Sequence, residues 1–239
     1  DQIATTAVFP RQGQTVLGQS FRKAPGGKGA NQAVQAARLG AQVTMVGKLG
    51  HDANGEEMLR VCREAGIDTS HVMYDSEAAS GCAVIILETR PGESTQNRIL
   101  VIPGANMTIT PDEVAFLKDE ISQYDLVILQ LEIPMEVNIA VAQYAHDAGV
   151  PVMLNPAPSA PLSERFLACL SYLSPNEHEA QDLCGVPIRR GENGLDHGDV
   201  RAAAAALMEK GVKNVLITLG DDGAALCTGA QLVHSPCCT

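Results

Sequence analysis

Four short strand-like runs, each ending in a polar or charged residue and each set off by helical periodicity, constrain this chain more than any other feature. They are DLVILQLE (125–132), VPVMLN (150–155), SYLSPNE (171–177) and NVLITLG (214–220). Apolar residues follow one another in them rather than alternating with polar ones. A sheet exposed on one side would alternate, whereas a sheet with helices on both faces gives continuous apolar runs. Between the runs, helical spacing predicts helices from about Met135 to Ala148, from Glu177 to Cys184 and from Val200 to Lys210, the last with Asp199 as N-cap and Gly211 as C-cap. A shorter helix is predicted near Ser163, and another from about Pro111 to Ser122. The fold class that follows is α/β, with a mainly parallel sheet covered by helices.

The first half is less regular. The opening 25 residues carry short apolar pairs broken by Pro10, Gly13 and Gly18, which predicts strand fragments joined by turns. NQAVQAARLG reads as a helix closed by Gly40, AQVTMVGKLG (41–50) as a buried strand, NGEEMLRVCREAG as an amphipathic helix closed by Gly66, and 67–74 as a return to extended structure. Residues 81–106 then give two strand-like runs around a turn centred on Pro91 and Gly92. That is a β-hairpin without an intervening helix, either in an accessory sheet, at a sheet edge or within the main sheet.

Two kinds of place can hold a ligand. One is the corner Pro25-Gly26-Gly27-Lys28-Gly29-Ala30-Asn31-Gln32, where glycines let the backbone bend sharply and then open a helix. A helix N-terminus favours oxygen-rich ligands, and Lys28 and Asn31 add donors of fixed reach. The alternative is a plain turn before a surface helix. The other place is beyond the carboxyl ends of the strands, where α/β sheets gather ligands. There stand Gln130 and Glu132, Asn155, Asn176 and Glu177, and Thr218 with the glycines of TLGDDG. A carboxylate accepts hydroxyl hydrogen bonds, an amide both donates and accepts, and a glycine turn brings N–H groups near phosphates. Taken singly, each is also an ordinary cap or loop residue. The corner lacks GxxxxGK[ST] spacing and no GxGxxG joins a strand to a helix, which excludes a P-loop nucleotidase and a dinucleotide fold.

Composition excludes further classes. In 239 residues, 28 Asp and Glu oppose 17 Lys and Arg for a formal net charge of −11, which argues against a nucleic-acid binder. No apolar run is long enough to span a bilayer, so no membrane partner is expected. Seven cysteines, with no CxxC pair and no His at ligand spacing, read as reduced thiols of a cytoplasmic protein.

GGKGANQAVQAARLGAQVTMVGKLG, QLE (130–132), NPAP (155–158), PNEHE (175–179) and LITLGDDG (216–223) occur in an order and spacing that resembles the ribokinase-like carbohydrate and nucleoside kinase family over essentially the whole chain. The resemblance implies a doubly wound α/β domain across 1–239 with a small β lid, formed by about 81–101 and part of 1–25. It implies ATP-dependent phosphorylation of D-ribose at O5, with Asp1, Gly27, Lys28, Gly29, Ala30, Asn31 and Glu132 on the sugar. Asn176, Thr218, Leu219, Gly220, Asp221, Asp222 and Gly223 would meet ATP, and Glu179 would help hold Mg2+, mainly through water. A homodimer pairing through the lid is implied as well.

In that family the first strand carries a GSxNxD-like sequence, whose final Asp corresponds to Asp1. A DTxGAGD motif, with the general-base Asp, the anion-hole glycines and a K+ site, follows that of Thr239. These 239 residues alone are therefore expected to lack turnover, and to expose apolar faces of the sheet. The alternatives are a kinase for deoxyribose or another pentose or nucleoside and, in a different class, a non-catalytic sugar-binding fragment or pseudoenzyme.

Overall fold

The computed structural model describes every residue except 91, 93, 192, 193, 230, 238 and 239. The chain divides into two compact units, Asp1–Ile109 and Thr110–Thr239.

In the first unit β1 (Gln2–Thr6), β2 (Ser20–Lys23), α1 (Lys28–Arg38), β3 (Gly47–Gly50), α2 (Ala53–Glu64), β4 (Val72–Asp75), β5 (Cys82–Glu88) and β6 (Gln96–Ile102) follow in order. The hairpin of β5 and β6 is antiparallel, pairing Cys82 with Ile102 through Glu88 with Gln96. It does not join the main sheet. It completes a separate four-stranded sheet of order β2-β1-β5-β6, in which β1 runs parallel to β5. Of the turn expected at Pro91 and Gly92, Pro91 lies outside the described residues.

The strand expected over 41–50 is shorter: only Gly47–Gly50 pairs, parallel to β4, and Ala41 and Gln42 are exposed. Thr44 bridges Asp68, but the Asp68 carboxylate then accepts the Ser70 N–H at 2.9 Å. That turn lifts residues 69–71 off the ladder before β4 begins. Helices α1 and α2 are closed as the glycines predict, with Gly40 and Gly66 at positive φ just beyond them. Their inward faces meet in a small core of Ala33, Cys62 and Ile67.

A polar bolt ties the end of β4 to the segment leading out of the unit. The Thr108 hydroxyl donates to Asp75 Oδ2 at 2.6 Å, Lys48 Nζ lies 3.5 Å from the same oxygen, and Asp75 Oδ1 accepts the N–H groups of Ala78 and Glu77. These donors, the Ala78 N–H first, hold the Asp75 carboxyl well below the usual carboxylate range. Asp52 caps α2 through Gly55 N–H and also accepts the Ser80 N–H; burial pushes its pKa up, and these donors outweigh it to leave the group lowered.

The second unit comprises α3 (Leu117–Glu120), β7 (Val127–Gln130), α4 (Met135–Asp147), β8 (Val152–Asn155), α5 (Glu164–Ala168), β9 (Tyr172–Leu173), α6 (Glu177–Cys184), β10 (Arg190–Gly191), β11 (Gly194–Leu195), α7 (His197–Glu209), β12 (Asn214–Thr218), β13 (Ala224–Thr228) and β14 (Gln231–Ser235). Its six-stranded sheet has the order β14-β13-β12-β9-β8-β7. The four strands read from the sequence are mutually parallel, and β13 and β14 extend the sheet antiparallel beyond β12.

One face of this sheet is fully buried through Val152, Leu154, Leu173, Val215, Ile217 and Ala225. The other face, bearing Met153, Leu216 and Leu226, is half-buried, and Ile128 on β7 and Val233 on β14 are exposed. Within the described residues one face is thus fully covered and the other in part, as a helix-covered sheet requires.

Two helix boundaries differ from expectation. Residues 111–116 form successive i→i+3 turns before α3; at their start the Glu113 carboxylate turns back to accept both the N–H and the hydroxyl of Thr110, a capping arrangement. Helix α7 starts at His197 rather than Val200: Asp196 caps it by accepting from Gly198 and Asp199 N–H, while the Asp199 carboxylate is taken by Arg189. No helix among the described residues is long and apolar enough to cross a membrane.

Candidate active site

The residues singled out from sequence fall into two groups, one in each unit, and each group is built locally. In the first unit the turn from β2 into α1 is made by Gly26 and Gly27. Gly27 has φ 85° and ψ 130°, a conformation that strains any residue with a Cβ, and it offers α1 no side-chain cap. The amide dipoles at the start of α1 thus favour an oxygen-rich ligand. Asp1 is fixed beside this turn. Its backbone nitrogen donates to the Ala24 carbonyl at 2.8 Å, and its own carbonyl accepts the Ala24 N–H at 3.0 Å.

Gly26, read from sequence only as part of the bend, is the reason that Asp1 fits. A Cβ on it would stand 2.3 Å from Asp1 Oδ1. Lys28 and Gly29 are half-buried and Asn31 is exposed, so their polar groups reach the surface of the turn. Ala30 differs: its side chain belongs to the core, leaving only its backbone to a ligand.

In the second unit the register aligns the polar strand ends. Gln130 pairs with Asn155 across β7 and β8, and Asn176 bridges Thr218 beyond β9 and β12. Glu132 is half-buried two residues past β7, just before α4. Asn155 is held by donating to the Ser174 carbonyl at 2.8 Å. The strand-end residues thus share one carboxyl edge, as the sequence pattern implied.

The Asn176-x-x-Glu179 pattern is a capping box on α6. Glu179 N–H donates to Asn176 Oδ1, and Asn176 N–H donates to Glu179 Oε2, each at 2.8 Å. Asn176 Nδ2 and Glu179 Oε1 keep no partner among the described residues. After β12, residues 219–223 close a tight turn in which Leu219 N–H donates to the Gly223 carbonyl at 2.8 Å. Gly223, at φ 88°, passes so close to Ser235 that a Cβ would meet its carbonyl oxygen at 2.1 Å. Leu219 is fully buried with its N–H and carbonyl both engaged, so it anchors the turn and leaves ligand contact to its neighbours. Thr218, Gly220 and Asp221 are exposed.

The edge around this turn is acidic. Glu177 and Glu179 lie in the first turn of α6 and Asp221 and Asp222 in the 219–223 turn, with Arg190 against Glu177 and Asp222. No group of three or more His, Cys, Asp or Glu among the described residues could by itself hold a metal ion. A cation carried in by a polyphosphate fits this donor set, since Mg2+ takes one or two carboxylates and completes its shell with phosphate and water. Sequence reasoning missed Arg190, which sits in no motif and whose only signal is an Arg-Arg pair before a turn.

Comparison with known proteins agrees with this architecture. The profile described as pfkB family carbohydrate kinase matches residues 1–239. Ribokinase of Bacillus subtilis is 44% identical over 183 residues, 77% of this chain and 61% of that protein. Deoxyribokinase of Salmonella typhi is 35% identical over 237 residues, 99% of this chain and 74% of that one. The structure of Arabidopsis thaliana ribokinase complexed with ribose and ATP superposes with a TM-score of 0.83 at 30% identity, over 98% of this chain and 74% of that one. The chain thus spans about three fifths to three quarters of the length of these relatives. By fold, by motif order and by these matches, it belongs to the pfkB family of carbohydrate kinases.

Proposed function

We propose that the natural protein containing these residues is a ribokinase, transferring the γ-phosphoryl group of ATP to the 5-hydroxyl of D-ribose. The observation that carries this reading is the pairing of two built features with the ribokinase relatives. One is the glycine turn holding Asp1 beside an uncapped helix N-terminus. The other is the row of polar strand ends closed by the glycine turn 219–223.

On this reading Asp1, Lys28 and Asn31, with the backbone at Gly27, Gly29 and Ala30, hold the sugar hydroxyls. Asn176, Thr218 and the 220–223 backbone hold the nucleotide. Mg2+ would arrive with ATP, with Glu179 on its water shell, and would offset the phosphate charge against this acidic edge. Binding and aiming account for much of phosphoryl-transfer catalysis. Proton removal from the hydroxyl is assigned to none of the described residues.

A second reading, a kinase for 2-deoxyribose, is favoured by the Salmonella relative, whose match spans 99% of the chain. A coupled ADP-release assay with ribose, 2-deoxyribose and other pentoses separates the two. The expected result is turnover highest with ribose. Ribose binding by calorimetry without sugar-dependent ADP release would instead support a non-catalytic sugar binder. The homodimer reading draws on β6, an edge strand exposed along its whole length. The free thiols of Cys62, Cys82, Cys169, Cys184, Cys227 and Cys237 fit a cytoplasmic location.

A further inference from the structure

Two consecutive arginines at the start of the β10–β11 hairpin reach in different directions. Arg189 forks onto Asp199 in the first turn of α7, through Nε at 2.7 Å and Nη2 at 2.8 Å, and so pins the hairpin to that helix. Arg190 reaches two other segments at once. Its Nη2 donates to Glu177 Oε1 and Oε2 at 3.0 and 3.1 Å and to the Leu219 carbonyl at 2.8 Å, and its Nε donates to Glu177 Oε1 at 3.2 Å. Its Nη1 donates to Asp222 Oδ2. Glu177 is the first residue of α6, next to Asn176, while Leu219 and Asp222 belong to the 219–223 turn. His234 Nε2 donates to the Asp222 carbonyl at 2.6 Å and steadies the turn from β14.

We propose that Arg190 is the positioning residue of the nucleotide site, holding the 219–223 turn against the first turn of α6. The inference rests on the assignment of these two segments to ATP. A planar guanidinium matches the task, because its donors engage a carboxylate and a carbonyl at fixed angles where an ammonium would act as a point charge. It also neutralises Glu177 and Asp222, which would otherwise face the polyphosphate unpaired. Arg190 acts through the turn and needs no contact with the nucleotide itself.

The test uses the natural protein, a non-hydrolysable ATP analogue with Mg2+, and ribose as a second ligand, each titrated by calorimetry. Arg190→Ala is expected to weaken the analogue by about tenfold or more, the scale for loss of a charge-assisted contact, while ribose affinity stays within roughly twofold. Arg190→Lys should recover part of the loss, and amide exchange over 219–223 should accelerate in Arg190→Ala. Should Arg190→Ala not fold, Arg190→Lys, which keeps the charge and loses the fork, carries the same comparison. Undiminished analogue binding by the variants overturns the role of Arg190, as does an equal loss for both ligands, which would mark general destabilisation. A wild-type protein that binds ribose but not the analogue overturns the nucleotide assignment itself.

Discussion

Asn138 offers the sharpest test of the packing. It lies on the inward face of α4, fully buried, between the core residues Val137 and Val141, and among the described residues neither its Oδ1 nor its Nδ2 has a hydrogen-bond partner. A buried polar group without a partner costs about 1–3 kcal/mol relative to a satisfied one. Leucine has the same number and branching of side-chain heavy atoms and no polar atom, and it has a helix propensity better by roughly 0.5 kcal/mol. Asn138→Leu should therefore stabilise the protein by about 2 kcal/mol, taking the lower part of the desolvation range together with the propensity gain. For a chain of this size each kcal/mol shifts Tm by about 2–4 °C, so the expected rise is about 4–8 °C. Urea denaturation followed by circular dichroism, with a thermal scan, measures both quantities. A fall in midpoint at unchanged m-value would refute the reasoning, since it would mean that an internal water satisfies the amide and that leucine displaces it.

Three further outcomes are expected. Gly26→Ala should push the Asp1 carboxylate off the turn and weaken ribose binding while leaving binding of the ATP analogue unchanged; calorimetry that shows both ligands unaffected would remove Asp1 from the sugar site. Asp75, held low by the Ala78 N–H and the Thr108 hydroxyl, and Asp199, held down to about 2 by Arg189, each favour the folded state only while ionised. Their contribution is complete above the unfolded carboxylate pKa near 3.8 and fades as pH falls towards 2, so Tm should drop over that window, and Asp199→Asn should flatten the drop. Leu100→Lys on β6, whose apolar residues Ile99, Leu100 and Val101 are all exposed, should convert a dimer to a monomer in light scattering, and a wild-type monomer at tens of micromolar would end the lid-pairing proposal.

The parallel strands were legible because each breaks from apolar to polar where the register places the sheet edge, at Gln130, Asn155, Asn176 and Thr218. What escaped the sequence was decided by competition among short-range partners. DHGD offers two aspartates three residues apart as caps for α7, and pattern alone prefers the one nearer the alanine run. Arg189, ten residues before Asp199, takes that carboxylate and leaves the capping to Asp196. Strands β13 and β14 went unread because AALCT and QLVHS carry too few β-branched residues to signal strands, and antiparallel pairing to β12 supplies what propensity does not.

The same competition bears on the site. A capping residue and a ligand-binding residue are often weighed as rival readings of one sequence position, yet Asn176 and Glu179 show that they are compatible. The capping box uses the amide oxygen of one and a single carboxylate oxygen of the other, which fixes both side chains in one rotamer. It leaves the amide nitrogen of Asn176 and the second oxygen of Glu179 at the carboxyl edge, unpaired among the described residues and already ordered. Groups held in this way lose little rotamer entropy when a ligand arrives, so the cap contributes to binding as well as to the helix. Asp1 follows the same logic in the other unit. Its main chain is spent on Ala24, and Gly26 leaves room for its carboxylate beside the turn. In both places the hydrogen bonds that build the local fold also hold the candidate ligand groups in position, which is why a loss of ligand affinity there must be measured against a second ligand before it is assigned to contact.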